Sequence, residues 1–382
     1  MHIAWLGKKS PFCGNVTYGR EITNALLDRG HRVTFLHFAQ PDGLDDQHPE
    51  CQEVSLPFFF KSQILTIPSF RTGKLLVETL QRLKPDVVHA SLTLSPLDFR
   101  LPEICQALGI PLIATFHPAF DRKRRNLSSG TQHLTYQFYA PCLAHYDQVI
   151  VFSQLQRELL VKLGVPNQTV VVIPNGVDIR KYSPGPSPIK AEFNTDRLFV
   201  YQGRLSIEKN VESLLRGWKH AKMGNKCRLL IVGSGPIEAS LKAFYGSGDN
   251  ITWLGFVADE QRRIEILRGA DVFILPSLVE GLSLSLLESM ACGTACVATD
   301  AGADGEVLEA GAGIVIDTHK VSIQLQTLLP VFRDHPEMTT LLGQKARQRV
   351  LDRYTLSTNI SQLETLYSKA LRAPRLYARQ GA

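Results

Sequence analysis

The chain alternates short, almost wholly apolar runs with longer stretches of helical periodicity, and that rhythm restricts its fold more than any other feature. Met1 to Leu6, Gly30 to Leu36 (a turn and a strand), Asp86 to His89, Pro111 to Phe116 and Gln148 to Ser153 read as strands. Tyr18 to Asp28 and Gln154 to Leu163 read as helices between and after them. Strands that alternate with helices imply an α/β protein whose parallel sheet is wound by helices.

At 382 residues the chain is too long for one ordinary core and comfortable for two. Val170 to Asp178 closes the first series with a strand and the sharp turn Pro174-Asn175-Gly176. The run Tyr182 to Ile189, dominated by proline and serine, cannot be helix and reads as an interdomain linker. Strand logic then restarts at Leu198 to Gln202, Leu229 to Val232, Ile251 to Val257 and Ala270 to Leu275. Amphipathic helices over Met338 to Val350 and Leu356 to Arg372 end the pattern. The expected organisation is a first domain over 1–178, a linker over 179–195 and a second domain over 196–355.

Composition narrows the function. Apolar residues at 44% and charged residues at 20% are those of a soluble globular protein, and no run of about twenty apolar residues suggests a spanning helix. The first residues read as a strand and not as a signal peptide. Seven cysteines without a CxxC pair favour a reducing cytosol, and Cys292 and Cys296 read as small buried hydrophobes. A net charge of +6 suits anionic substrates or an anionic membrane surface, and no motif supports nucleic-acid binding.

The chemistry concentrates between Pro276 and Gly293, where Glu280 sits on a strand-to-helix loop and Glu288 in the first helical turns. The helix start between them offers unpaired N–H groups for a phosphate or a sugar hydroxyl network. Ser285-Leu286-Leu287-Glu288 also fits a capping box, in which Glu288 only satisfies a helix end. Arg204 and Lys209 leave a strand end together and could clamp a diphosphate. His117 follows a strand directly, a position that taken alone favours a histidine satisfied by backbone. In the turn Gly233-Ser234-Gly235, Glu238 stands where a dinucleotide fingerprint needs its third glycine, which argues against an NAD enzyme.

Pro276-Ser277, Glu280-Gly281, Glu288 and Met290-Ala291-Cys292-Gly293 together resemble the nucleotide-sugar signature of family 4 glycosyltransferases. The resemblance covers nearly the whole chain, strongest from Ile173 to Val315 and loosest from Pro41 to Lys84. It implies the GT-B fold, two Rossmann-like domains facing across a central cleft, with the helix at 356–372 crossing back onto the first. It implies a retaining hexosyltransferase using a nucleotide diphosphate sugar, a UDP-sugar above others, with no metal or other cofactor. The residues it assigns to chemistry are His117, Glu280, Arg204 and Lys209. To the donor it also assigns Gly14, Asn15, Gly255, Phe256, Val257, Gly281, Leu282, Ser283, Leu284 and Glu288.

Within that assignment Arg204, Lys209 and the helix-terminal N–H groups near Ser283 and Leu284 stabilise the departing diphosphate. Glu288 holds the ribose hydroxyls, Glu280 those of the sugar, and His117 orients donor or acceptor. The family's glycine pair in the first loop is here Gly14-Asn15, where asparagine's tolerance of left-handed backbone bears on how closely a diphosphate approaches.

The first domain of this fold recognises the acceptor. Aromatic and basic residues at Phe58 to Lys61, Phe120 to Arg125 and Tyr136 to Tyr139 suit peripheral attachment to an anionic membrane face from the cytoplasm. The expected acceptor is therefore a membrane glycerolipid or glycolipid such as a diacylglycerol glycoside. The alternatives are a soluble or polysaccharide acceptor, a GT-B-fold nucleotide-sugar epimerase, and a binding protein with a relic site.

Overall fold

In the computed structural model, residues 1–10, 14–38, 49–62, 65–119, 127–246 and 250–372 are described, without the side chains of 127–131. The chain divides into two compact units. The first comprises residues 1–118, 130–175 and 356–382, and the second 119–129 and 176–355. The basic run Phe120 to Arg125 lies outside the described residues.

The first unit opens with β1 (His2–Gly7), α1 (Gly14–Asp28), β2 (Arg32–His37) and β3 (Gln52–Ser55). A small antiparallel pair follows, β4 (Phe58–Lys61) with β5 (Thr66–Pro68), in the region where the sequence carries least pattern. The unit continues through α2 (Thr72–Leu83), β6 (Val87–Ser91), α3 (Leu101–Leu108), β7 (Leu112–Thr115), α4 (Leu127–Leu143), β8 (Gln148–Val151), α5 (Gln154–Lys162) and β9 (Val170–Val172). Seven strands form one parallel sheet in the order β3-β2-β1-β6-β7-β8-β9. β1, β6 and β7 are buried almost throughout, as strands covered by helices on both faces must be.

The second unit contains α6 (Ile189–Glu192), β10 (Arg197–Gln202), α7 (Val211–Ala221), β11 (Cys227–Val232), α8 (Glu238–Tyr245), β12 (Ile251–Gly255), α9 (Glu260–Gly269), β13 (Val272–Leu275), α10 (Leu284–Ala291), β14 (Ala295–Thr299), α11 (Asp304–Val307), β15 (Ile314–Ile316), α12 (Val321–Asp334) and α13 (Pro336–Arg353). Its six strands run β12-β11-β10-β13-β14-β15, again parallel. The last helix, α14 (Leu356–Arg372), belongs to the first unit. There Arg29 donates to Glu364 at 2.8 Å, and Tyr367 meets the buried His89 at 2.6 Å.

The proline-rich run read as a linker is fastened along its length to the second unit. Arg268 Nε donates to the Ser183 carbonyl at 2.8 Å, Ser187 Oγ to that of Glu265 at 2.7 Å, and Arg347 to that of Tyr182 at 2.9 Å.

α10 shows how local sequence fixes an element. Ser283 is extended and its hydroxyl accepts from the Leu286 N–H, while Gly293 (φ +80°) follows the C-cap Cys292 in the left-handed conformation. Leu286, Leu287 and Met290 are wholly buried, and cutting such a side chain to alanine costs about 2–5 kcal/mol. The capping-box reading of Ser285 to Glu288 is thereby corrected: the cap is two residues earlier, and Glu288 is bound elsewhere.

Candidate functional site

In each sheet the chain returns to the middle after winding outward, so loops of opposite sense part at one point: between β1 and β6, and between β10 and β13. Such switch points leave a crevice at the strands' carboxyl ends.

In the second unit three loops meet there, namely 203–210 after β10, 276–283 after β13 and 300–303 after β14. Lys209 Nζ donates to Glu280 Oε1 at 2.5 Å, and Ser277 Oγ donates to the same oxygen at 2.8 Å. Glu280 is buried and Ser277 fully so. Thr299 holds the Ser277 carbonyl, Asn210 Nδ2 donates to that of Pro276 at 3.1 Å, and the Leu278 N–H donates to that of Glu208 at 2.8 Å. The loop bearing Glu280 is thus fixed from both sides by backbone as well as by charge.

Close packing explains two glycines. A Cβ on Gly302 (φ +58°) would lie 2.1 Å from the Glu280 carbonyl oxygen, so only glycine lets the 300–303 loop lie against the acid. A Cβ on Gly233 (φ +130°) would meet the Gly203 carbonyl oxygen at 1.9 Å, which gives the Gly233-Ser234-Gly235 turn a structural purpose beside the Arg204 loop.

Sequence reasoning missed Asp304. It is buried, and its Oδ1 accepts the Ser283 N–H at 3.0 Å. Burial first, and the nearby Glu280 second, push its carboxyl well above the usual range. This changes one expectation: the Ser283 N–H is committed to Asp304 and is not open to a phosphate. Ser277, Asn210 and Gln202 were missed too, and only the Pro276-Ser277 pair of the signature hinted at any of them.

The other predicted donor residues fall as follows. Glu288 accepts from Gln202 Nε2 at 3.2 Å, across from β10. Arg204 is exposed, and among the described residues its side chain makes no ion pair or hydrogen bond. Gly281 accepts from the Ala303 N–H at 2.7 Å, Leu282 is buried, and Leu284 opens α10. Gly255 (φ +65°) ends β12 and accepts from the Gly233 N–H at 2.7 Å; Phe256 is exposed; the Val257 carbonyl accepts from Arg263 at 2.9 Å.

In the first unit, His117 leaves the end of β7 half-buried, and its Nε2 meets Ser91 Oγ at 2.8 Å. Tyr18 stands edge-on to it at 5.0 Å and Phe152 lies at 5.3 Å. Desolvation, with the Lys8 ammonium adding to it, drives the imidazole down to about 3, so it is neutral in ordinary buffers. Behind it runs a buried chain in which Tyr18 OH meets Thr115 at 3.2 Å, Thr115 meets His89 at 2.8 Å and His89 meets Tyr367.

Gly14 and Asn15 begin α1 instead of forming an open loop, and Asn15 is not in the left-handed region. Among the described residues a Cβ on Gly14 would meet nothing within 4 Å, so none of them demands glycine there. Tyr136 and Tyr139 are buried, which removes them from any surface, while Phe138 of the same helix is exposed.

Residues 14–181 match the family described as Glycosyltransferase Family 4, and residues 187–349 match Glycosyl transferases group 1. The GDP-mannose-dependent alpha-(1-6)-phosphatidylinositol dimannoside mannosyltransferase of Mycobacterium tuberculosis is 29% identical over 253 residues. The match takes in 64% of this chain and 65% of that protein, so the chain spans just under two thirds of this relative's length. The alpha-monoglucosyldiacylglycerol synthase of Streptococcus pneumoniae is 26% identical across 75% of this chain and 67% of its own. Among solved structures, Anabaena HepE in complex with UDP-glucose superposes with a TM-score of 0.75 at 19% identity, covering 96% of this chain and all of that one.

Proposed function

The chain belongs to glycosyltransferase family 4 and has its GT-B fold, and from that premise we propose that it moves a hexose from a nucleotide diphosphate sugar to a lipid hydroxyl. A UDP-sugar is the favoured donor, and a membrane glycerolipid or a diacylglycerol glycoside the favoured acceptor. Two observations support these choices: a neighbour in fold holds UDP-glucose, and two relatives carry phosphatidylinositol and diacylglycerol lipids in their names.

The observation that carries the reading is the Lys209–Glu280 pair at the β10/β13 switch point, beside the exposed Arg204. A buried acid locked to a lysine is a store of paired charge. When a diphosphate enters, Lys209 turns to it with Arg204, and Glu280 is released to accept from the sugar hydroxyls. The bond from the anomeric carbon to the phosphate oxygen then breaks, its electron pair stays on the diphosphate, and the two cations stabilise the charge. The acceptor oxygen bonds the anomeric carbon on the same face and passes its proton to the departing phosphate, which retains configuration. In this scheme Glu288 accepts from the ribose, neutral His117 orients a hydroxyl of donor or acceptor, and no metal is required.

A thermal-stability screen of UDP- and GDP-sugars tests the donor. Ligand at a hundred times its Kd adds about 2.7 kcal/mol to the folded state, a shift of several degrees. Transfer to diacylglycerol in mixed micelles, with the product's anomeric configuration read by NMR, tests the rest. No stabilisation by any nucleotide sugar would end the proposal, and an isomerised nucleotide sugar formed without acceptor would replace it with an epimerase.

A further inference from the structure

The last residue of β10 carries a buried carboxamide whose two ends meet different company. Gln202 is 8% exposed, and its Nε2 donates to Glu288 Oε2 at 3.2 Å. A carboxylate only accepts, so the amide nitrogen is the end turned to Glu288, and Oε1 is left for another donor. That oxygen is shielded from solvent and has no hydrogen-bond partner among the described residues. Buried carbonyl oxygens are seldom left so, because nothing then replaces their lost hydration.

The position of Gln202 narrows what that donor is. β10 lies between β11 and β13, at the switch point where the loops bearing Arg204 and Glu280 part. The backbone there is fixed: the Gly203 N–H donates to the Val232 carbonyl at 2.9 Å, and Tyr201 OH donates to the Arg204 carbonyl at 2.8 Å. Gln202 and Glu288 thus hold neighbouring acceptors, one from a strand end and one from α10. Neighbouring acceptors suit a phosphate poorly, since it has no proton to give, and suit a pair of hydroxyls that each donate.

We propose that Gln202 determines specificity for the donor's sugar-nucleoside moiety: its Oε1 accepts from one ribose hydroxyl, while its Nε2 steadies Glu288 for the other. This rests on the reading of Glu288 as the acceptor of ribose hydroxyls. A nucleobase N–H is the rival donor, and ribose is favoured because the group that Gln202 holds is the one assigned to ribose. A site with two fixed acceptors takes a vicinal diol and rejects a deoxyribose, which leaves one acceptor buried and unpaired again.

The test is calorimetric binding of UDP, 2′-deoxy-UDP and 3′-deoxy-UDP to the full chain, with the guanosine counterparts in parallel. The parent binds one of the deoxynucleotides at least about tenfold more weakly than the ribonucleotide. Gln202→Met, similar in length and without polar ends, binds the ribonucleotide about tenfold more weakly than the parent and no longer prefers it over that deoxynucleotide. Gln202→Ala loses the same preference should methionine disturb the packing. Gln202→Glu keeps an acceptor oxygen at the same reach, so it keeps the preference although two facing carboxylates weaken binding as a whole. The preference is a ratio within each protein, so a general loss of stability does not imitate its disappearance.

Variants Gln202→Met and Gln202→Ala that prefer the ribonucleotide as strongly as the parent overturn the proposal, as does a parent indifferent to both hydroxyls. Variants that change the choice between uridine and guanosine with the ribose preference intact also overturn it, by assigning Oε1 to the base. In those cases nucleotide binding persists and the glycosyltransferase reading stands; failure of every nucleotide to bind ends both.

Discussion

At the switch point of the second sheet the side chains are charged and pinned to one another, whereas at that of the first a neutral histidine is packed among aromatic rings, with the buried Lys8 as the nearby charge. Lys209, Glu280 and Asp304 share one small volume, with a serine and several backbone groups holding the loops in place. His117 instead stands among Tyr18, Phe152 and Ser91, stripped of its proton by desolvation. The same sheet geometry therefore serves two kinds of recognition. One edge holds paired charge that is turned onto an entering anion, and the other prepares a neutral acceptor or donor of hydrogen bonds in a dry setting.

The contrast is broken most severely by Lys209→Met. Glu280 and Asp304 lose their cation, so kcat/KM should fall on the order of 10³-fold and the melting temperature by several degrees. Turnover near that of the parent would mean the pair is merely structural. Arg204→Met separates charge for the ligand from charge for the fold. Exposed, and without an ion pair among the described residues, Arg204 should cost about 10²-fold in kcat/KM when replaced while stability stays within about 0.5 kcal/mol. A matching drop in stability would contradict that division.

On the neutral side, His117→Gln should lower kcat by roughly tenfold to a hundredfold and leave stabilisation by nucleotide sugar unchanged. The parent's pH–rate profile should show no limb near 6.5 from this group, because it already titrates at about 3. The last effect is on stability and is read only as pH is lowered. His89 is also driven to about 3 by burial, against roughly 6.5 in the unfolded chain. Below 6.5 the unfolded state therefore takes up the extra proton. Stability is full above 6.5 and declines as pH falls towards 3, by up to about 1.4 kcal/mol per pH unit for one group. Urea midpoints at successive pH values should show a shallower decline for His89→Gln than for the parent.

The central strands of both sheets were legible because each is a short apolar run buried on both faces, whereas the polar, mostly exposed edge strand β3 and the short β14 and β15 were not read. Leu356 to Arg372 and the Gly293 stop were legible because helix ends follow local chemistry. Glu280 and Glu288 were found through their spacing in a string, although the cap between them was placed two residues late. Asp304 stayed hidden because its role comes from packing: it becomes an internal acid only when the 300–303 loop settles on the Glu280 backbone through Gly302. The β4–β5 hairpin was hidden for the opposite reason, an irregular register that no periodicity predicts. Tyr136 and Tyr139 were read as surface since composition marks aromatics without saying which helical face they occupy.

Tyr367 fills part of the interior around His89, yet it lies nearly three hundred residues further along the chain, after the whole second unit. On a ribosome, the later-starting unit can therefore complete its fold first, while the earlier one waits with an unfilled socket beneath β6 until α14 emerges. Synthesis order and completion order are thus reversed, and a nascent chain halted before Leu356 would carry one finished body and one unfinished.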